Sequence, residues 1–401
     1  MLNRRGVLKV LPLAALSAGA AEPAASYQVG AYYFPGYHCD PRTGAAHGEG
    51  WTEWELTKRA EPRFPGHQQP KKPLWGYEDE SDPRAFARKI AAAADHGLHH
   101  FLFDWYWYED SPFLNRALDQ GYLKSANNGR LKFALMWANH DWMEIQPAKL
   151  NVKPGQLHAG AVDAKVFEHI TEHVIEKYFR HPSHWTIEGA PYFSVYELYK
   201  LVQGLGGVEP TRAALARFRE KTRAAGFPDL HLNAVLWGVQ ILPGEQQVKN
   251  PKELLARLGF NSTTSYVWIH HLRLEQFPVT PYAEVAAKAA EFWPSAAGKF
   301  GLPYHPNVTM GWDSSPRTCQ SDRYLNTGYP FTPTLGGNTP AAFRESLRTA
   351  RRFLDSNPAQ PRILTINAWN EWTEGSYLEP DTIHRFEYLQ ALRDVFGQNR
   401  G

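Results

Sequence analysis

Strand-like segments alternate with helix-like segments along almost the whole chain, and this alternation limits the fold more than any other feature. Eight segments have the apolar, β-branched and aromatic composition of buried strands: 27–34, 99–106, 131–137, 191–196, 230–237, 262–268, 307–312 and 362–369. Helical periodicity follows each of them, near 83–96, 113–126, 163–180, 210–225, 251–258, 281–300, 340–356 and 383–396. Eight strands that each lead into a helix predict an α/β fold, a single (β/α)8 TIM barrel with elaborated βα loops.

Prolines and glycines support these boundaries. Five prolines stand at or near first helical positions, where a missing N–H costs nothing: Pro83, Pro210, Pro251, Pro281 and Pro340. An open doubly wound sheet is the alternative fold, but no G-x-G-x-x-G fingerprint follows the first strand. No internal repeat or low-complexity linker separates a second domain, so one barrel domain is expected over 27–398.

The overall charge argues against two classes of partner. Lys+Arg total 43 and Asp+Glu total 41, and a net charge of +2 provides no field that would favour nucleic acid or an acidic membrane surface. The aromatic content is high, with 14 Trp, 19 Tyr and 21 Phe, and many indoles stand beside acids and amides. Such pairs suit the faces and hydroxyl rims of sugars, although large rings also fill the core of a large domain. Composition alone leaves both interpretations open.

The first twenty residues have the pattern of an export signal. Arg4 and Arg5 precede an apolar stretch, 7–18, that is too short to span a bilayer, and Ala18-Gly19-Ala20 has a small-x-small cleavage pattern. We therefore expect a twin-arginine signal peptide at 1–20 and a periplasmic or secreted mature protein. The alternative is a slightly basic tail. The sequence does not indicate an oligomeric state.

Cysteines and histidines do not suggest a metal centre. Cys39 and Cys319 are the two cysteines, and both fall in predicted loops on one barrel face. Export permits a disulfide between them, but the sequence does not establish bonding distance. The doublets 99–100 and 270–271 would point their histidines to opposite faces of a strand. We expect no metal and no other cofactor.

The C-terminal ends of the predicted strands carry a recurrent combination of side chains. Nearly every strand ends in an aromatic residue together with a carboxylate or an amide, and a (β/α)8 barrel builds its active site at these ends. Singly, each side chain could fill the core or cap a turn, but their recurrence indicates a cleft for a polyol. The predicted substrate-binding residues are Tyr33, His38, Trp54, Asp104, Trp105, Trp137, Asn139, His140, Tyr196, Trp237, Tyr266, Trp268, Trp312, Trp369, Asn370 and Trp372.

The segment INAWNEWTEGSYLEPD, 366–381, places three acids after the eighth strand. Glu371 and Glu374 are three residues apart, so a helical turn would put their Cβ atoms roughly 5–6 Å apart on one face. Mutual repulsion and nearby indoles would raise the pKa of one carboxyl, which suits the acid that glycosidic-bond cleavage requires. The spacing equally allows Glu374 to cap the turn and Glu371 to pair with an arginine. Glu379 precedes Pro380 and is expected to brace the loop or touch a distal hydroxyl.

Several motifs resemble one known family. The segment NAWNEWTEGSYLEPD, 367–381, looks like the signature of glycoside hydrolase family 99-like proteins, often labelled WbsX-like. The motifs GWTEW with FPGHQQP, WANHDW and AYYFP agree with it, and the matches run from about residue 27 to residue 381. At 139–142 the chain has Asn-His-Asp-Trp where the family usually has Asn-Glu-Asn-Trp, so His140 occupies the position of an acid.

The resemblance implies a (β/α)8 glycosidase fold and a retaining α-glycosidase that needs no metal. It implies that Glu371 is the base that deprotonates the sugar 2-hydroxyl, whose oxygen then attacks C1 to give a 1,2-anhydro sugar. Glu374 would be the general acid, and then the general base, at the leaving oxygen. This route requires a 2-hydroxyl trans to the leaving group, so the implied substrate is a manno- or rhamno-configured polysaccharide or oligosaccharide.

Two other functions remain open. The first is a glycosyltransferase or polysaccharide-assembly protein, since family 99-like proteins are often found in such loci. Nucleotide sugars are cytosolic, so the predicted export signal argues against it. The second is a non-catalytic carbohydrate-binding protein, because fold alone does not determine function.

Overall fold

A computed structural model describes residues 26–397 and confirms the predicted (β/α)8 barrel. The eight strands are parallel: β1 (Gln28–Tyr33), β2 (His100–Tyr108), β3 (Lys132–Trp137), β4 (Ala190–Val195), β5 (His231–Val235), β6 (Ser262–Thr264), β7 (Tyr304–His305 and Asn307–Thr309) and β8 (Ile363–Asn367). Each strand pairs with the next along the chain, and β8 pairs with β1. Pro306 interrupts β7, whose first part pairs with β6 and whose second part pairs with β8.

Ten α-helices lie within the described residues 26–397: α1 (Pro41–His47), α2 (Trp54–Arg59), α3 (Pro83–Asp95), α4 (Ala164–Val174), α5 (Leu198–Gly204), α6 (Val208–Ala224), α7 (Pro251–Leu258), α8 (Tyr282–Phe300), α9 (Pro340–Asp355) and α10 (Glu387–Phe396). Pro83, Pro251 and Pro340 begin their helices, as predicted. The helix expected near 113–126 is a short π-helix, Ala117–Tyr122.

The loops after β1 and β3 are long and contain structure of their own. The first contains α1 and α2, and the third contains a small antiparallel pair, Trp142–Met143 with Gln156–His158. After β6 and β7, Val279–Pro281 pairs with Thr334–Gly336. Because these segments follow the C-terminal ends of the strands, they form the rim of the barrel at that end, where (β/α)8 barrels build their active sites.

Strand alternation divides the side chains between two compartments. In β2, His100, Asp104 and Tyr106 point into the barrel, whereas Trp105 points outward and packs edge-on against Tyr178, with ring centroids 6.1 Å apart. The outward layer is apolar and is buried under the helices. The inner compartment contains polar side chains that are nearly inaccessible to water, among them Asp104.

The lower part of the barrel interior contains buried, neutral histidines. His100 lies against Gly30, where an added Cβ would be 2.1 Å from the imidazole, so this close approach requires glycine. His305 and His231 stack at 6.3 Å between ring centroids. Burial lowers the pKa of His305 to about 3 and that of His231 to about 4, so both imidazoles are uncharged at neutral pH.

Three features of the chain bear on the remaining predictions. Cys39 and Cys319 are free thiols and form no disulfide with each other. The predicted export signal at 1–20 lies outside the described residues. Among the helices within 26–397, none combines the length and apolar composition needed to cross a bilayer.

Candidate active site

A cleft opens at the C-terminal ends of the strands. The structure brings both predicted glutamates and four of the predicted binding residues to its lining: Asp104, His140, Tyr196, Tyr266, Glu371 and Glu374. These side chains come from the ends of β2, β3, β4, β6 and β8, or from the loops that follow. Glu371 and Glu374 are only 3% and 5% exposed, so the site is recessed.

The turn that carries both glutamates is held on each side. Asn370–Glu371 pairs with Ser376–Tyr377, and the residues between them form a 3-10 turn, Trp372–Glu374, which is the helical turn expected from the spacing. Gly375 ends this turn at φ 64°, and an added Cβ there would lie 2.7 Å from Asp313. Only glycine fits both the conformation and the space. The two carboxylates therefore project into the cleft from a tight, fixed turn.

Arg317 connects the two glutamates. Its guanidinium lies 3.4 Å from Glu371 Oε2 and 3.1 Å from Glu374 Oε1, and its Nε donates to Thr373. Glu53, from the loop after β1, approaches the same guanidinium at 3.9 Å. This buried cation thus offsets part of the repulsion among three buried carboxyls.

The two glutamates have different surroundings. Both hydrogen bonds to Glu374 fall on Oε1, from Arg317 and from the Tyr329 hydroxyl at 2.7 Å, which leaves Oε2 without a bond to any described residue. Glu371 Oε1 lies 3.0 Å from the Tyr266 hydroxyl. Burial and the neighbouring Glu374 carboxylate raise the pKa of Glu371 well above its usual range, and Arg317 opposes this shift.

A buried ion-pair network lies under the turn that carries the two glutamates. Lys89 of α3 is inaccessible to solvent, and its Nζ lies 2.6 Å from Glu80 Oε1 and 2.8 Å from Glu379 Oε1. The other oxygen of Glu379 accepts the indole N–H of Trp372 at 2.8 Å. Asn370 donates to Glu80 at 2.9 Å. Glu379 thus braces the loop, as the sequence indicated, and acts from beneath the turn.

The opposite wall of the cleft is formed by the loops after β3, β4 and β5. Tyr196 donates to Glu245 Oε1 at 2.6 Å, and Glu245 Oε2 accepts the backbone N–H of Ile241 and Leu242. Burial raises the pKa of Glu245 to about 7. Burial also lowers the pKa of the wall residue His140 to about 4, so its imidazole is neutral. Its Nδ1–H donates to the Asp141 carbonyl at 2.9 Å, which leaves Nε2 as an acceptor.

Three of the predicted binding aromatics lie on the wrong side of their strands. Tyr33 stacks on Phe86 of α3 at 5.0 Å, Trp105 packs on Tyr178, and Trp137 packs on α4. Each sits one position away from an inward-facing residue, and neighbouring strand residues point in opposite directions. The structure therefore places these rings in the layer between barrel and helices, away from the cleft.

The remaining indoles predicted to bind substrate also make their contacts inside the protein, away from the cleft. Four of them donate their single N–H inside the protein: Trp54, Trp268, Trp312 and Trp372. Trp369 is fully buried, and Trp237 packs behind Tyr196 at 5.0 Å. An indole has one donor and no acceptor. These residues shape the loops and do not line the cleft.

Three polar residues on the predicted list hold backbone or lie buried. Asn139 exchanges two hydrogen bonds of 2.8 Å with the backbone of Glu197, which ties the loops after β3 and β4 together. Asn370 does the same with the backbone of Phe34, at 2.8 Å and 2.7 Å. His38 is buried, and burial lowers its pKa to about 4. The two asparagines position loops, and none of the three residues lines the cleft.

The structure adds cleft residues that sequence reasoning missed. The additional lining residues include Phe34, Tyr106, Trp142, Gln146 and Arg317. Strand alternation was a usable signal for Tyr106, because it lies two positions after Asp104. Arg317 lies in a short 3-10 turn, Ser315–Arg317, within a loop that has no distinctive pattern. The signal for it was indirect, since several buried acids need a cation nearby.

Solved structures share this fold. The GH99 endo-alpha-mannosidase from Bacteroides thetaiotaomicron aligns with a TM-score of 0.55 at 13% identity, over 92% of this chain and 96% of that one. A structure described as a glycoside hydrolase-like protein aligns with a TM-score of 0.59 at 14% identity, over 95% and 98% of the two chains. At these identities the likeness concerns the fold, a GH99-like barrel.

Sequence comparison identifies relatives of higher sequence identity. Two curated proteins of Xanthomonas campestris pv. campestris, both described as Uncharacterized protein WxcX, are 28% identical over 384 residues. The alignment covers 91% of this chain and 49% of each relative, so the chain spans about half the length of the curated relatives it matches. Residues 29–392 match the family described as Glycosyltransferase WbsX. Because this match covers most of the chain, the protein belongs to the WbsX family.

Proposed function

We propose that the protein is a retaining α-glycoside hydrolase that acts on a manno- or rhamno-configured polysaccharide or oligosaccharide. The observation that carries the proposal is the pair Glu371 and Glu374, which face one cleft from a single turn and share the Arg317 guanidinium. Two carboxyls at a scissile bond, in environments that separate their roles, are what glycoside hydrolysis requires. The GH99-like fold supports the same reaction class.

In the proposed first step, Glu371 accepts the proton of the sugar 2-hydroxyl, and the 2-oxygen attacks C1. The C1–O bond to the leaving group breaks, and the Glu374 carboxylic acid gives its proton to the departing oxygen. Glu374 Oε2 can carry this proton, because the bonds from Arg317 and Tyr329 both fall on Oε1. A proton on Glu374 also removes the neighbouring charge that raises the pKa of Glu371, which favours the ionised base.

In the second step, Glu374 takes a proton from water, and the resulting hydroxide attacks C1 of the 1,2-anhydro sugar. The 2-oxygen recovers its proton from Glu371, so both carboxyls return to their starting states. Two successive inversions at C1 give retention of configuration. Arg317 stays within reach of both carboxylates and limits the change in local charge as the proton moves between them.

The test uses Glu371→Gln and Glu374→Gln, with the exposed Glu387→Gln of α10 as a matched control. Each variant is incubated with α-mannans, α-rhamnans and oligosaccharides of both series, and released reducing ends are counted. We expect turnover to fall at least about a hundredfold in both site variants and to stay unchanged in the control. Proton NMR of the first product then reports its anomeric configuration. Near-normal turnover in both site variants, or an inverted first product, contradicts the proposal.

The family's description favours glycosyl transfer as a second candidate. A sugar-nucleotide donor carries a diphosphate, which needs cations. The cleft lining within the described residues offers one guanidinium, that of Arg317, already engaged by the glutamates. Hydrolysis therefore suits the charge of this cleft better. Incubation with a panel of nucleotide sugars and acceptor glycans, with nucleotide release as the readout, separates the two activities.

Export to the periplasm or the medium is proposed together with the hydrolase activity. It rests on the arginine pair and cleavage pattern within 1–20. Fractionation of cells that express the full chain, with N-terminal sequencing of the product, tests it. Accumulation of an uncleaved chain in the cytosol would overturn the assignment and strengthen the transferase alternative.

A further inference from the structure

Asp104 is a buried carboxyl at the mouth of the barrel whose charge has no partner. It is 3% exposed, its Oδ2 lies 2.9 Å from the Tyr266 hydroxyl, and its Oδ1 is buried without any hydrogen bond. Within residues 26–397 no lysine, arginine or histidine forms an ion pair with it. An ionised carboxylate in this position would carry a large desolvation cost, and among the described residues the Tyr266 hydroxyl alone is placed to offset part of it.

Tyr266 lies between Asp104 and the proposed base. Its phenolic oxygen is 2.9 Å from Asp104 Oδ2 and 3.0 Å from Glu371 Oε1. A phenol has one proton and can donate it to one carboxyl only. If both carboxyls were ionised, one of these short contacts would join two lone pairs. One of the two carboxyls must therefore carry a proton and donate it to the phenolic oxygen.

The surroundings of the two carboxyls identify the protonated one. Glu371 has a second donor, because Arg317 lies 3.4 Å from its Oε2, whereas Asp104 has none. The nearby phenol of Tyr32 is already committed to the Ser265 carbonyl at 3.2 Å. Burial raises the pKa of Asp104 well above its usual range, and the hydrogen bond with Tyr266 opposes this shift. Because burial also raises the pKa of Glu371, it is the difference in hydrogen-bond donors that places the proton on Asp104.

We propose that Asp104 is a protonated carboxylic acid in the working enzyme, and that by donating to the Tyr266 oxygen it directs the Tyr266 proton onto Glu371. This inference rests on the proposed function, because it assigns Asp104 as a positioning residue for the base of that reaction. In this hydrogen-bonded series, Asp104 donates to Tyr266 and Tyr266 donates to Glu371. An ionised Glu371 then has two donors, Tyr266 and Arg317. It stabilises the base without making or breaking a covalent bond.

Substitutions separate a neutral donor from a charge. Asp104→Asn keeps the shape and a neutral donor, so we expect kcat within about fivefold of wild type, the worth of one neutral hydrogen bond, and an unchanged pH profile. Asp104→Leu removes the donor to the Tyr266 oxygen, so the Tyr266 proton is no longer directed onto Glu371. The acid limb of kcat/KM should then move to higher pH. Tyr266→Phe, which removes the donor to Glu371, should do the same. Equal loss of kcat in Asp104→Asn and Asp104→Leu would overturn the proposal, because it would mean that the aspartate charge is required.

A second measurement needs neither substrate nor a folded variant. Infrared spectra of wild-type protein, unlabelled and labelled with ¹³C at the aspartate carboxyls, are compared at neutral pH. We expect a carbonyl band of a protonated carboxylic acid that shifts with the label. Its absence overturns the Asp104 assignment even if glycans are cleaved. Its presence in a protein that cleaves no glycan supports the protonated Asp104 while the proposed hydrolase function fails, so the two failures are distinguishable.

Discussion

Arg317 and Glu374 are joined by an ion pair of 3.1 Å in a pocket where both side chains are nearly inaccessible to water. The same guanidinium reaches Glu371 at 3.4 Å, so one cation from the loop after β7 serves two acids from the turn after β8. The protonation of the pair and the stability of the turn therefore depend on a residue outside the glutamate motif.

Replacing Arg317 by methionine should destabilise the protein and change its pH profile. It leaves buried carboxylates without their cation, which typically costs about 3–5 kcal/mol. The acid limb of kcat/KM should also rise, because Arg317 opposes the upward pKa shift of Glu371. Urea unfolding and a pH–rate series measure the two effects. Arg348→Met, which breaks an exposed pair with Glu345, is the control, and equal effects in both variants would count against this role.

The acid limb of the wild-type profile should itself lie unusually high. Glu371 must be ionised to accept a proton, and burial raises its pKa well above the ordinary 4.5. Activity should therefore be lost as pH falls through the raised value, before an ordinary glutamate would protonate. A kcat/KM series against pH checks this. An acid limb at or below the ordinary glutamate value would be incompatible with Glu371 as the base.

Replacing Lys89 by methionine should lower the free energy of unfolding, because Lys89 is the cation of the network beneath the glutamate turn. The variant leaves Glu80 and Glu379 buried without a cation, and we expect a loss of about 3–5 kcal/mol in unfolding free energy. Adding Glu80→Gln and Glu379→Gln removes both orphaned charges and should restore a good part of that loss. Urea unfolding of the single and triple variants tests the network. A single variant as stable as wild type would show that the network contributes nothing.

Strand alternation predicts opposite phenotypes for two neighbours. Trp105→Ala opens a cavity between barrel and helices and should cost about 3–5 kcal/mol, with little change in KM once the protein is folded. Tyr106→Phe removes one hydroxyl from the cleft and should lower kcat/KM while leaving the unfolding midpoint nearly unchanged. Unfolding curves and steady-state kinetics on both variants provide the comparison. A reversed pattern would mean that the side-chain directions in β2 are misassigned.

The barrel histidines should make the protein sensitive to acid. Burial holds the pKa of His305 at about 3, against an ordinary 6.5. Between these two pH values the unfolded chain binds a proton at this histidine and the folded protein does not. Stability is therefore complete above the ordinary value and falls by about 1.4 kcal/mol per pH unit below it, until the folded pKa is reached. His305→Gln should remove that share of the pH dependence. Urea unfolding at neutral and acidic pH measures it, and an identical slope in the variant would contradict the assignment.

The barrel was predictable because its strands and helices have local signals. Prolines and apolar periodicity mark the element boundaries, and the glutamate turn follows from its residue spacing and the family signature. Arg317 was not predictable in the same way, since its role depends on a contact across 57 positions with Glu374. Composition alone assigns Trp105 and Trp137 to the cleft, whereas strand alternation places Asp104 and Tyr106 there instead.

The Asn370–Phe34 contact joins positions 336 residues apart, and the Lys89–Glu379 ion pair makes a similar connection. While the chain is being synthesised, the cleft walls from β1 to β5 emerge long before either glutamate. A nascent chain therefore lacks both glutamates of the proposed site, and the cleft is complete only when its last segment docks. A break in the linker between α9 and β8 would likewise give two fragments that each lack a complete cleft, whose recombination would report directly on the docking of that segment.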